Sequence, residues 1–400
     1  MDVHRGPAAL DAHPLLTLYE DGEKSAPTRA KPSGMTRMAF SSKEVCMDEA
    51  RLTLLRRLIS SPSPSGFEQP VQQVIRTEIQ QYTDEVRTDI HGNVIATLHP
   101  GGNPRVMLTA HCDELGFLIR YIDDAGFLYF APIGGFDAAT LPGNRITLHT
   151  PSGPVLGVIG RKPIHSLQGE ERERLPKLSD LWIDIGASSR EEVLKLVPLG
   201  TAATRAIELE TLRGDIVVSR ALDDKAGIFS VIEAVRRIHA RSSELQAEVV
   251  FVSSVQEEVG SRGANTSTYG VDPLIAIAVD VTFTSDHPGT SKQDIGDVKL
   301  NGGPVITIGG RVNPRVYQLL VQTAEGAGLS WQLDAQASAT YTDTDNIQIA
   351  RAGVATALVS IPCRYLHSSS EIVSLKDVDE VAELLARFVL ALNANTNVIP

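Results

Sequence analysis

Cysteine is scarce: three residues among 400, far apart at Cys46, Cys112 and Cys363. That spacing makes neither a disulfide framework nor a thiolate zinc cluster, so a reducing cytoplasm is the expected compartment. It also leaves histidine and carboxylate as the side chains able to hold a metal. Basic residues are outnumbered, 37 Lys and Arg against 49 Asp and Glu. The net charge of -12 argues against nucleic acid and against an anionic membrane as partners, because both demand clustered cations. No apolar run approaches the roughly 18 residues that span a bilayer, and the N-terminus lacks the apolar core of a secretory signal. Aromatics make up 5%, with Trp182 and Trp331 the two tryptophans.

What is present is an ordinary globular balance, 42% apolar and 22% charged. At this length the prior is roughly two to three domains. Residues 1–45 are rich in Pro, Ala and small polar side chains without sustained period, and are expected to form a flexible extension in which Met35 and Met38 are candidate starts. Apolar residues recur at helical spacing over 48–59 and 68–82, around a Pro- and Ser-rich turn at 60–66. Short β-rich runs lie at 93–98 and 106–109, with further apolar runs at 249–255, 275–279 and 354–361. Helical patterns cover 225–241 and 314–328, and a last helix follows Ser374, with Asp377 placed for a near capping box. The alternation predicts an α/β fold, a central sheet flanked by helices.

From 118 to 212 the pattern changes to short strands, for example 127–131, 145–150 and 155–159, with Gly and Pro turns between them. A small inserted β domain is expected there. The domains are therefore drawn as an extension over 1–45, one part of the main domain over 46–117, the insert over 118–212, and the rest over 213–400. The charge run at 170–174 inside the insert is expected to be a solvated face.

Open α/β sheets bind ligands beyond the C-terminal ends of their strands. Here the run at 106–110 ends in His111-Cys112-Asp113-Glu114, the run at 275–279 in Asp280, and the run at 249–255 in Gln256-Glu257-Glu258. The run at 354–361 leads to Arg364-Tyr365-Leu366-His367, and Leu222-Asp223-Asp224 precedes the helix at Lys225. Singly, each residue has a plainer explanation: His111 as a strand-end histidine, Asp223 as a helix cap, His367 as a loop residue, and the Glu pair as a solvated turn. Together, two imidazoles and several carboxylates suit a pair of divalent ions.

These segments resemble the cocatalytic metal-dependent aminopeptidases of the M42 type, from about Ser65-Gly66-Phe67-Glu68 to His367-Ser368. Ala110 to Phe117 is similar to that family's AHxDEIGF, Ala221 to Gly227 to its ALDDRxG, Gln256 to Ala264 to its QEEVGxRGA, Asp280-Val281-Thr282 to its DVT, and Arg364 to Ser368 to its RYxHS. The insert also carries similar text at Lys162 to His165 and Asp184 to Ser189. The resemblance implies a zinc-exopeptidase-like mixed sheet, and a cytoplasmic enzyme that removes N-terminal residues from peptides. It implies two divalent ions per subunit, zinc or cobalt first, with manganese compatible. One ion would be held by His111 and Asp280, the other by Glu258 and His367, with Asp223 between them. Glu257 would be the general base for a water activated by the ions, and Asp113 would orient His111. It further implies a homo-oligomer, in this family a tetrahedral dodecamer built through the inserted domain. Asp343 and Asp345, similar to the family's TDxD, are candidates for shaping the pocket, although Asx-turns in a loop explain them equally well. Cys112, Lys225 and Ile164 depart from the family's usual residues without touching an expected ligand.

Other readings remain open at this stage. A glycoside hydrolase would use two carboxylates without metal in an aromatic-lined cleft, which the sparse aromatics disfavour. A related metallo-carboxypeptidase or deacetylase, and a catalytically idle assembly protein on the same fold, complete the set.

Overall fold

The computed structural model describes residues 47–400, so the expected extension over 1–45 and Cys46 lie outside the described residues. Helices α1 (Glu49–Ser60) and α2 (Gln69–Ile79) come first, followed by strands β1 (Val86–Thr88), β2 (Val94–Leu98) and β3 (Arg105–His111). Six short strands follow: β4 (Gly116–Ile122), β5 (Leu128–Ile133), β6 (Arg145–Thr150), β7 (Gly153–Arg161), β8 (Leu181–Asp184) and β9 (Ala202–Arg205). Helix α3 (Arg190–Leu196) lies between the last two. Strands β10 (Glu210–Arg213) and β11 (Ile216–Ser219) lead to the long α4 (Leu222–Ala240), then to β12 (Glu248–Ser254), α5 (Arg262–Val271) and β13 (Ile275–Phe283). The remainder is α6 (Lys292–Ile295), β14 (Val305–Gly309), α7 (Pro314–Ala327), β15 (Gln332–Gln336), α8 (Thr344–Ile347), β16 (Ala355–Cys363), β17 (Glu371–Ser374) and α9 (Leu375–Ala391).

Eight strands form one mixed sheet in the order β1-β2-β12-β3-β13-β16-β14-β15. Its centre, β12, β3, β13 and β16, is parallel. These strands are buried on both faces, which is why they read as unbroken apolar runs in the sequence. Side chains alternate between two cores: Val106, Leu108 and Ala110 of β3 face α1, α4 and α9, whereas Met107 faces α5 and α8. In β13, Ile275, Ile277 and Val279 divide from Ala276 and Ala278 in the same way. Helix α4 runs through the larger core with most of its residues buried, and its apolar face packs on α9, β3 and β13. Caps set the helix ends. The Asp48 carboxylate accepts from Arg51 N–H at the start of α1, and Asn313 accepts from Arg315 and Val316 N–H ahead of Pro314 in α7.

The strands from Gly116 to Arg205 close into a barrel, order β4-β5-β8-β7-β6-β9, around its own core of Phe117, Ile146, Leu148 and Ile183. Closure removes exposed strand edges. A third sheet, β10-β11-β17, lies against the chain on its way to α4. Of the charge run, Arg172, Glu173 and Arg174 are exposed, and the side chains of Glu170 and Glu171 lie outside the described residues.

Several local expectations are corrected. The second helix ends at Ile79 rather than Tyr82. Strand β13 continues to Phe283, pairing with β16 throughout, so Asp280 sits within the strand instead of after it. Ser374 caps α9, but Asp377 does not complete a capping box: its carboxylate accepts from Asn301 and Gly303 N–H at 2.7 and 2.9 Å. A distant loop has outcompeted the local bond.

Candidate functional site

The parallel strands bring their C-terminal ends to one edge, and the register sets His111 level with Ser254 and Asp280 level with Ser360. His111 closes β3. Glu257 and Glu258 follow β12 after Gln256, which takes a left-handed φ of 59°, and His367 lies on the loop between β16 and β17, also left-handed at 61°. Asp223 and Asp224 open α4 with non-helical torsions; both are buried, Asp223 between the two imidazoles, while Asp224 Oδ1 accepts from Gly227 N–H at 3.0 Å in the first turn. The left-handed torsions of Gln256 and His367 are costly for residues with a Cβ and cluster at functional sites.

Asp223 stands between the two imidazoles. Its Oδ1 lies 3.1 Å from His111 Nε2, and its Oδ2 lies 3.2 Å from His367 Nε2. Glu258 Oε2 is 3.8 Å from His367 Nε2, and Asp280 Oδ1 is 3.9 Å from His111 Nε2. Two groups of potential ligand atoms result, His111–Asp224–Asp280 and Asp223–Glu258–His367, each with its atoms within 4.8 Å of one another. The sequence pattern brings together His111, Asp223, Glu258, Asp280 and His367. It had given Asp224 no role, yet Asp224 joins the first group, and a Cβ on Gly227 would come within 2.2 Å of its Oδ1.

Asp113 is buried beneath. The His111 Nδ1 lies 3.1 Å from the Asp113 main-chain carbonyl and 3.5 Å from its carboxylate. That carboxylate accepts from the main-chain N–H of Glu257 and Glu258 at 3.0 and 3.2 Å, and from the Ser65 hydroxyl at 2.7 Å. One side chain therefore fixes both the imidazole's neighbourhood and the Glu-Glu turn. The Ser261 hydroxyl donates to Glu257 Oε1 at 3.1 Å. Glu371, which the sequence reading missed, accepts from Asp223 N–H at 3.2 Å.

Crowding of buried acids dominates the electrostatics. Burial, then the competing influences of His111 and nearby acids, leaves Glu257 at about 9 and Asp280 at about 8. Burial and Asp223 push Glu258 well up, and burial and Asp280 do the same to Asp224. Burial opposes ionisation of Asp223 too, but hydrogen bonds to His111 and His367 win and hold it below the usual range. Burial disfavours charge on His111, yet its bonds to Asp113 and Asp223 carry it well above the ordinary imidazole value. His367 is raised chiefly by its bond to Asp223. Glu258 Oε1 and Asp224 Oδ2 are buried with no hydrogen-bond partner. Orphaned acceptors among mutually repelling carboxylates fit divalent cations.

His111, Asp223, Glu257, Glu258, Asp280 and His367 line a cleft of about 490 Å³, with Asp224 buried behind them. Its far wall is formed by Asp334, Gln336, Tyr341 and Asp345, and no Lys or Arg lines it among the described residues. Asp345 is engaged locally, accepting from Thr340 and Tyr341 N–H, which is the turn-forming explanation of that residue. Asp343 is buried behind the cleft and bonded by the Ser254 hydroxyl at 2.5 Å. Trp182 and Trp331 are not among the lining residues.

A mixed sheet whose parallel strands end in imidazoles and unpaired acids, opening on a cleft, defines a hydrolase suited to divalent metal. Residues 92–384 match the M42 glutamyl aminopeptidase family, and the chain belongs to that family. It is 35% identical to the lysyl aminopeptidase of Pyrococcus furiosus over 337 residues, 83% of this chain and 94% of that protein. The TET aminopeptidase of a marine sediment archaeon of the Thaumarchaeota superposes with a TM-score of 0.83 at 31% identity, covering 87% of this chain and 98% of that one. The TET1 peptidase of Pyrococcus horikoshii, which can assemble into a tetrahedron or a large octahedral shell, gives 0.75 at 32% identity, covering 86% and 100%. The chain is thus a peptide hydrolase acting from the amino end.

Proposed function

We propose that the site holds two divalent ions, one on His111 and Asp280 with Asp224 beside it, the other on Glu258 and His367, and Asp223 serving both, with zinc or cobalt the best matches to a mixed imidazole and carboxylate set. The observation that carries this reading is Asp223, whose two oxygens each face a different imidazole across about 3 Å. When bound, such ions supply Lewis acidity and a water of lowered pKa.

The chain's own residues do the rest. Glu257, half-buried beside the ligand groups and lining the same cleft, is the group that, as a carboxylate, would take a proton from the attacking water and return it to the leaving amine. The Ser261 hydroxyl fixes its carboxylate, and Asp113 fixes its main chain. The Asp113 carbonyl, 3.1 Å from Nδ1, favours the tautomer that leaves His111 Nε2 free as a donor of electrons. Glu371 anchors the main chain of Asp223. Asp334 on the far wall, without a cation among the lining residues, suits basic or neutral first residues better than acidic ones.

The barrel spanning Gly116 to Arg205 is the proposed assembly surface of a homo-oligomer of the TET kind, and the domain division follows it. Glu257→Gln tests the base: it should bind metal as the native chain does while kcat falls by about 10²–10⁴. His111→Ala should lose metal instead. Full turnover in the Gln variant removes Glu257 from that role.

A further inference from the structure

We infer that Arg205, a barrel residue, is a positioning residue that holds His367 and thereby the Asp223–Glu258–His367 group, an inference that rests on reading that group as a metal site. His367 is the ligand candidate least secured by its own element. It lies on the loop between Cys363 and Glu371, at a left-handed φ, with its side chain 44% exposed against 6% for Asp223 and Glu258. Of the other candidates, Asp280 sits in a strand, His111 at a strand end and Asp223 and Asp224 at the start of α4, while Glu258, in the turn after β12, has its main chain bonded to the buried Asp113 carboxylate.

Arg205 supplies what the loop lacks. It ends β9, is 5% exposed, and sends its guanidinium across to two successive main-chain carbonyls, that of Ser368 through one nitrogen and that of His367 through the other at 3.4 Å. A planar fork donating to neighbouring carbonyls fixes the torsions on either side of the imidazole, which a single ammonium cannot do. The guanidinium carbon lies 4.7 Å above the Phe136 ring, and Phe136 stacks on Phe117 at 4.6 Å and 18° in the barrel core. Next to Phe136, Gly135 lies against the His367 ring, where a Cβ would make ordinary contact with Nδ1 at 3.9 Å. Arg205 also shares a small buried cavity with Glu371 and Asp223, placing its charge beside the carboxylate that anchors the Asp223 main chain. No hydrogen bond or ion pair joins Arg205 to His111, Asp224 or Asp280. The direct bonds of the strut are therefore confined to the loop that bears His367.

The test is a titration of the chelator-treated full chain with cobalt, followed by calorimetry and by the visible absorption of the bound ion, with His367→Ala marking which binding step belongs to this group. Arg205→Met should weaken that step by about 10–100-fold, as loss of a ligand's outer partner does, and leave the other step unchanged. Arg205→Lys, which keeps the buried charge without the fork, should fall between the two and decides the matter if the Met variant does not fold. Native affinity at both steps in these variants overturns the inference, and so does equal weakening of both, the mark of general destabilisation. A native chain that takes up fewer than two ions overturns the metal reading itself, and this inference with it.

Discussion

Loading the metal-free chain with divalent ions should expel protons, and the crowding of the site indicates how many. Asp280 stands at about 8, Glu258 and Asp224 well above the carboxylate range, and His111 and His367 above the ordinary imidazole value. At pH 7 a cation must displace protons held by this coupled cluster, on the order of two to four per subunit. Each displaced proton changes apparent affinity tenfold per pH unit, about 1.4 kcal/mol, so two make binding about 100-fold weaker at pH 6.5 than at 7.5. Calorimetry with zinc, in buffers of equal pH but different ionisation enthalpy, reads the number directly. The same acids set the stability of the metal-free fold. The folded state retains protons that the unfolded chain gives up near pH 4, so this stabilisation is complete below about pH 4 and is lost as pH rises toward 8 and 9. The melting temperature of the metal-free chain should therefore fall between pH 5 and 8, and the loaded chain should not follow it. Binding with no proton release and a flat affinity from pH 6.5 to 7.5 would mean that the ions do not displace protons from these acids.

Gly227→Ala places a Cβ against the Asp224 carboxylate; it should cost about 1–3 kcal/mol in a urea melt and weaken the first ion, whereas native metal affinity would remove Asp224 from the site. Because Asp334 and, among the described residues, no cation lines the far wall, kcat/KM for a lysyl p-nitroanilide should exceed that for the glutamyl substrate by at least about tenfold, roughly 1.4 kcal/mol, and the reverse order would exclude Asp334 as the source of the preference. Sedimentation of the full chain should give a species many times the monomer mass, and a monomer would contradict the proposed role of the barrel.

Much of the fold was legible because the central strands are buried on both faces and therefore read as apolar runs, as in β3, β12 and β16. The barrel strands announced themselves through turn spacing, with 145–150 matching β6 at both ends. The misses have a common cause in tertiary structure. Asp280 looked like a strand end because polarity interrupts the pattern, yet pairing with β16 carries the strand on. Asp224 was hidden by its neighbour, since adjacent aspartates at a helix start give no sign that both turn toward one site. Arg205 and Glu371 carry no local signal at all: they matter only because β9 and β17 pass beside the loop that bears His367. Glu257 and Glu258, chemically alike in sequence, differ in their contacts: Glu258 faces His367 and Glu257 is held by Ser261, which is the difference the proposed roles rest on.

The most direct measurement is the cleavage of a peptide blocked at neither end, followed by mass spectrometry, with chelated protein before and after zinc or cobalt is restored. The chelated chain should cleave nothing, and once about two ions per subunit are bound the peptide should shorten one residue at a time from the amino end. Cleavage that ignores the chelator, or a ladder that shortens from the carboxyl end, would contradict metal-dependent cleavage from the amino end.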